Sequence, residues 1–168
     1  MKKLTRKIEL LAPARNLERG IEAVNHGADA VYIGAPRFGA RAAAGNSLDD
    51  IRKLTEYAHI YNVRIYVTVN TMLRDDELPD TEAMIWDLWR AGVDALIVQD
   101  MGILKMNLPP IPLHASTQMD NRTPEKVKFL EQTGFRQVVL ARELSLQEIE
   151  RIHRTCPNVL LEAFVHGA

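Results

Sequence analysis

Short apolar runs and longer amphipathic stretches take turns along this chain. The short runs are rich in β-branched residues, and the longer stretches carry apolar residues at helical spacing. This pattern predicts strands at residues 8–12, 30–34, 64–70, 95–99, 112–116, 137–141 and 160–165. It predicts helices at 16–26, 48–61, 78–91, 124–133 and 146–155. Between the fourth and fifth strands only a short helix or turn fits, at 101–108, closed by Pro109-Pro110.

The helix ends have chemical causes. Ser47 and Ser145 are good N-caps, with Asp50 and Glu148 three residues on in capping-box positions. Pro124 after Thr123 suits a first helical position. Gly27, Gly92 and Gly134 each fall between a helix and a strand, where a left-handed residue is wanted, and Asn62 plays the same part after the second helix. These glycines also mark a weak internal repeat. His26-Gly27-Ala28-Asp29-Ala30-Val31-Tyr32-Ile33 matches Ala91-Gly92-Val93-Asp94-Ala95-Leu96-Ile97-Val98, and a third copy begins at Thr133 with Arg136 in place of the aspartate.

The strands read as apolar on both faces, the pattern of a parallel sheet covered by helices. Repeated βα units allow an open doubly wound sheet or a closed barrel. No G-x-G-x-x-G opens the first helix, and polar residues stand at nearly every strand end. Both facts favour the barrel, whose loops converge on one rim. The expected fold is therefore α/β and (β/α)8 TIM-barrel-like. It is incomplete, with seven strands and the last unit missing, so the first and seventh strands each keep an open edge.

Composition narrows the class. A chain of 168 residues fits one domain, residues 1–168, and the 46% hydrophobic and 26% charged content is that of a globular protein. A formal net charge of −1 is not the basic excess of a dedicated nucleic-acid module, although a local patch stays open. One cysteine, Cys156, cannot form an internal disulfide, which fits a reducing compartment. No apolar run approaches a membrane span, and the basic start soon meets Glu9 and Pro13, unlike a signal peptide. The expected location is cytoplasmic, with no membrane partner.

In a barrel of this kind the C-terminal strand ends carry function. The densest cluster is His114-Ala115-Ser116-Thr117-Gln118, which offers an imidazole, hydroxyls and an amide to a ligand. The alternative is that the hydroxyls bond nearby backbone and His114 fills the core. Asn70 ends the third strand. Arg142 suits bidentate grip of a carboxylate or phosphate, and Glu143 beside it leaves an intramolecular ion pair equally open. Glu162 and His166, four apart on the seventh strand as predicted, would share a face and suit either metal binding or proton transfer. A buried hydrogen-bonded pair is the other reading. The small-residue loop at 37–46 carries Arg37 and Arg41, placed to meet an anionic substrate unless the loop is a plain solvated connection. Neither H-E-x-x-H nor G-x-S-x-G is present, no metal site is expected, and Cys156 lies away from the strand-end rim.

Several of these stretches resemble peptidase family U-32, the collagenase-like proteins. They are Glu9–Ala14, Gly27–Gly34, Val67–Thr71, Leu113–Gln118 and Val138–Glu143. The most specific is Glu162-Ala163-Phe164-Val165-His166-Gly167-Ala168, similar to the opening of the family's signature, a Glu-x-Phe-x-x-Gly-Ala run that leads into two cysteines. The family name implies proteolysis. The resemblance also implies oxygen-independent hydroxylation of tRNA, ribosomal RNA or a quinone precursor, with a cysteine-ligated 4Fe–4S cluster in such members. One thiol cannot hold that cluster, so no cofactor is expected within this chain. The expectation is the N-terminal barrel portion of such a protein, truncated before the signature cysteines and inactive alone. The intact protein would hydroxylate RNA bases, with Glu143, Glu162 and His166 as catalytic candidates. Asn70, His114, Ser116, Thr117, Gln118, Arg142, Arg37 and Arg41 would bind substrate. The alternatives are hydrolysis of a peptide substrate, and a non-catalytic fragment or subunit completed by a second chain.

Overall fold

The computed structural model describes residues 8–38 and 46–166. Seven strands form one parallel sheet in the order of the chain, β1 to β7. They are β1 Leu11–Ala14, β2 Ala30–Gly34, β3 Arg64–Val69, β4 Ala95–Val98, β5 Leu113–Ala115, β6 Gln137–Val139 and β7 Leu160–Glu162. Five α-helices lie between them: α1 Leu17–Asn25, α2 Leu48–Ile60, α3 Leu78–Arg90, α4 Pro124–Gln132 and α5 Leu146–Thr155. A 3-10 turn at Met101–Lys105 replaces a helix after β4, started by the Asp100 carboxylate accepting from Gly102 N–H at 2.7 Å. The sheet curls into a TIM-barrel-like half-barrel. The outer edges of β1 and β7 have no strand partner among the described residues.

The helix starts follow the capping chemistry. Ser47–Asp50 and Ser145–Glu148 form complete capping boxes, and Thr123 caps α4 with Pro124 at its first turn. Gly27, Gly92 and Gly134 take φ of +90°, +86° and +100°, and Asn62 takes +57°. The repeat following two of these glycines has a purpose. The Asp94 carboxylate accepts from Ile65 N–H at 2.7 Å while Asp94 N–H donates to Ile65 O at 2.9 Å. Asp29 makes the same reciprocal pair with Leu10, both contacts at 2.9 Å. Each aspartate thus pins the start of the preceding strand. Arg136 keeps only the backbone half, its N–H donating to Leu113 O.

Three strands depart from the pattern by more than one residue, β3 and β4 by a single residue at one end, and β5 by a single residue at each end. Pairing of β1 starts at Leu11 opposite Ala30, because the Leu10 backbone is taken by Asp29 and Ala30. Pro13 is tolerated within it because β1 is an edge strand. β6 ends at Val139 and not at Ala141, because Ala141 N–H turns away to Asn121 O. β7 ends at Glu162 and not at Val165, its last ladder contact being Glu162 O with Leu140 N–H.

The two sheet faces are also less alike than the strand sequences imply. The convex face carries Val31, Ile33, Ile65, Val67, Leu96, Val98, Val138 and Leu140, packed with Ile51, Leu54, Ile85, Leu88, Leu130 and Ile152 of the helices. α1 crosses α2 so closely that a Cβ on Gly20 would stand 2.6 Å from Leu54 Cδ2. The concave face is mixed. A small apolar cluster of Ala30, Tyr66, Ala95, Ile97 and Val139, flanked by Leu11, Tyr32 and Phe164, shares it with Thr68, His114, Ser116, Gln137 and Glu162. The reading of strands apolar on both faces holds only for the helix-covered side.

Candidate functional site

The concave face opens at the C-terminal rim into a cavity of about 260 Å³. Tyr32, Thr68, Asn70 and Ile97 line it from β2–β4 and their ends. Ser116, Thr117 and Gln118 line it after β5, and Val139, Arg142, Glu162 and Phe164 from β6, β7 and beyond. Parallel pairing brings these positions together. Thr68 stands opposite Ile97, and Val139 opposite Glu162, so inward-facing residues of neighbouring strands share one level.

Buried polar side chains fix the rim. Asn121, fully buried, donates from Nδ2 to Ser116 O at 2.9 Å and to Val139 O at 2.8 Å. It therefore ties the ends of β5 and β6. Asn46 does the same for the first strands, its Nδ2 reaching Arg15 O at 3.1 Å and Gly34 O at 3.2 Å. Asp100 accepts from Leu73 N–H at 2.9 Å besides Gly102 N–H, joining the loops after β3 and β4.

Within the cavity Glu162 is held by one oxygen, which accepts from Gln137 Nε2 at 2.7 Å. Burial pushes its carboxyl above the usual range, against the opposing effect of the Gln137 bond. Thr117 donates its hydroxyl to Leu140 O at 3.1 Å, and Ser116 Oγ accepts from Gln118 N–H at 3.3 Å. The Arg142 guanidinium lies over the Phe164 ring, 4.3 Å from its centroid.

Below the cavity, the concave face is closed by Glu9, Arg64, Tyr66 and His114. Tyr66 donates to Glu9 Oε1 at 3.0 Å, and Arg64 pairs with the same carboxylate. Burial raises the Tyr66 phenol to about 12. His114 meets the Tyr66 ring edge-on with centroids 4.8 Å apart. Burial, helped by the Arg64 charge, lowers its imidazole to about 4, and its Nδ1 has no partner among the described residues.

Six of the candidates from sequence therefore meet in one cavity: Asn70, Ser116, Thr117, Gln118, Arg142 and Glu162. His114 lies in the floor beneath and does not line it. Glu143 is exposed and pairs with Arg122 at 3.5 Å. Arg37 is exposed and pairs with Asp80 at 3.2 Å. His166 is exposed in a bend beyond β7, so strand alternation no longer places it on the face of Glu162. Arg41 lies outside the described residues. Tyr32, Thr68 and Phe164 were missed as lining residues. Tyr32 and Thr68 could have been found from alternation once the inward face was known. Asn46 and Asn121 carry no periodic signal.

The family model for peptidase family U32 matches residues 15–168. This chain belongs to that family. It is 57% identical over 162 residues to the 23S rRNA 5-hydroxycytidine C2501 synthase of Escherichia coli, covering 96% of this chain and 25% of that protein. It is 37% identical to tRNA hydroxylation protein P1 of Bacillus subtilis, covering 98% of this chain and 40% of that one. The chain thus spans a quarter to two-fifths of the length of these relatives. The solved structure of a U32 peptidase superposes with a TM-score of 0.73 at 14% identity, covering 97% of this chain and 70% of the other, which shows the shared barrel fold.

Proposed function

We propose that this chain forms the base-binding half-barrel of an RNA-base hydroxylase. The make-up of the cavity carries the reading. An enzyme acting on a base must hold it out of the stack, by stacking and by hydrogen bonds to its edge. Tyr32 and Phe164 supply aromatic faces, Asn70 and Gln118 supply amides with both donors and acceptors, and Glu162 supplies a carboxyl. These are the groups that read unpaired RNA bases. The likeness to proteins named for rRNA and tRNA hydroxylation supports the same substrate class.

In this reading Glu162 holds or moves a proton at the substrate edge. Its affinity for a proton, raised by burial, suits that task. Ser116 and Thr117 shape the wall, because both hydroxyls are engaged with backbone. Peptide hydrolysis by nucleophilic attack draws less support. Among the described residues no imidazole is hydrogen-bonded to either hydroxyl, and the Cys156 thiol is buried, 3.5 Å from Pro124 O.

The 4Fe–4S cluster implied by the family resemblance does not fit this chain. Such a cluster takes several thiolates. The single cysteine is fully buried at the end of α5, and burial pushes its thiol up. Completion of the barrel by a further βα unit, from the same gene product or a second chain, matches the open edges of β1 and β7. The work of the compartment where RNA is modified would place the protein in the cytoplasm.

The test is the nucleoside content of ribosomal and transfer RNA, by mass spectrometry, from cells with and without the gene carrying this sequence. Loss of a nucleoside heavier than its parent by one oxygen, restored by the gene, is expected. Identical nucleoside profiles, together with cleavage of denatured collagen by the purified gene product, would reverse the assignment.

A further inference from the structure

The arginines of the C-terminal rim are not equivalent. Arg37 pairs with Asp80, Arg74 with Asp76, and Arg122 with both Asp120 and Glu143. Arg142 has no carboxylate partner among the described residues. Its guanidinium carbon stands over an aromatic ring instead, 4.3 Å from the centroid, and the residue is exposed at the mouth of the cavity that it lines. That ring belongs to Phe164, which packs against the small apolar cluster of Tyr66, Ile97 and Val139 inside the barrel. The ring is thus anchored in that cluster, with the guanidinium over it, and both residues line the cavity.

A guanidinium on an aromatic face is a planar, weakly hydrated surface. Its second face is suited to stack on another planar group. Unpaired RNA bases rest on such surfaces, and base stacking tolerates sequence because every base offers a π-face. We infer that Arg142 and Phe164 together form a composite stacking platform for the substrate base, with Arg142 as the layer that touches it. The inference rests on the RNA reading above and assigns one wall of the cavity to stacking. A compact ammonium would keep the charge and lose the plane, so lysine cannot substitute for arginine here. If Arg142 instead held a phosphate as a point charge, lysine would serve.

The experiment uses the full gene product and a short single-stranded oligoribonucleotide carrying 2-aminopurine, whose fluorescence is quenched on stacking. The expected result is quenching by the wild type, and binding weakened about tenfold in both Arg142→Lys and Phe164→Leu. The double variant should lose much less than the product of the two, because the two residues act as one surface. Arg142 is exposed, so Arg142→Lys folds, and it decides the matter even if Phe164→Leu does not. Wild-type affinity and quenching in Arg142→Lys, with a shallower salt dependence in Arg142→Ala, would overturn the platform in favour of a phosphate contact. Absence of quenching by the wild type also overturns it. The nucleoside comparison then tells whether the RNA reading survives: a lost hydroxylated nucleoside keeps that reading and discards only the platform.

Discussion

Leu96 and Ile97 are neighbours in β4 and serve opposite faces of one sheet. Leu96 is fully buried against the helices, while Ile97 borders the cavity on the concave side. The contrast extends across the strands. The convex face is aliphatic throughout, and the concave face of β5–β7 places His114, Gln137 and Glu162 at successive inward positions. One face is built to exclude water and hold the fold together. The other keeps polar groups at a cost in stability, as functional sites do.

The largest effect should come from breaking the convex face. Leu96→Ala should destabilise by about 3 kcal/mol, since the removed atoms leave a void that the close-packed helices fill only in part. Ile97→Ala should cost less, roughly 1–2 kcal/mol, because the cavity already reaches its side chain and water enters the space. Urea unfolding of the two variants measures the difference directly. Equal losses would mean that the two faces contribute alike.

The second effect belongs to His114. Its folded-state value is depressed from 6.5 to about 4, so the unfolded chain takes up the proton first as pH falls. The contribution of the neutral imidazole is fully present above pH 6.5 and is lost between there and pH 4. At about 1.4 kcal/mol for each tenfold change in proton affinity, the loss is on the order of 3 kcal/mol. His114→Leu should remove this dependence, which stability curves at intervals across that pH range would reveal. A variant with the same slope as the wild type would place the acid sensitivity elsewhere.

The same contrast explains what was readable in the sequence. The order and kind of every strand and helix followed from periodicity and caps such as Ser47, Ser145 and Gly92, because those signals are local. Six cavity residues were legible because polar side chains at strand ends conflict with strand propensity. The concave face was not. In β6, Gln137-Val138-Val139 reads as a mostly apolar run, and only the folded sheet shows Gln137, paired with Leu160, reaching across to donate to Glu162. Asn121 was invisible for a related reason. It is fully buried in a loop, and its value comes from two carbonyls brought near by folding. His166 failed in the opposite direction, because alternation was extended past the point where β6 stops offering partners.

Glu162 gives a smaller effect of definite sign. Its folded-state value is raised, chiefly by burial, so its favourable contribution is full below the ordinary carboxylate range and disappears as pH rises through the raised value. Above the raised value the wild type therefore carries a penalty for ionising a desolvated group. Glu162→Gln should melt higher than the wild type at about pH 8 and no higher at about pH 4, while losing activity in the intact protein. Thermal melts at both pH values decide it. A lower melting point at the higher pH would show that the carboxylate, and not the acid, is the form this cavity is built around.

The smallest effect should fall on Arg37, and it bears most directly on which rim cations belong to the site. Arg37 and Asp80 are about two-thirds exposed, and their contact of 3.2 Å is made in water. Exposed pairs of this kind contribute roughly 0–1 kcal/mol, much of it screened by salt. Arg37 also lies outside the cavity lining, with its charge already answered by Asp80. Arg37→Ala should therefore shift unfolding by less than about 0.5 kcal/mol and leave oligonucleotide affinity within about twofold of the wild type. The same assay applied to Arg142→Ala should show a clear loss. Position on the rim was the only ground for grouping the two arginines, and their surroundings separate them: Arg37 stands over the Phe38 ring with Asp80 as its carboxylate partner outside the cavity, while Arg142 stands over a cavity-lining ring with no carboxylate partner among the described residues. A loss of binding in Arg37→Ala as large as that in Arg142→Ala would mean that charge on the rim matters more than the surface it forms.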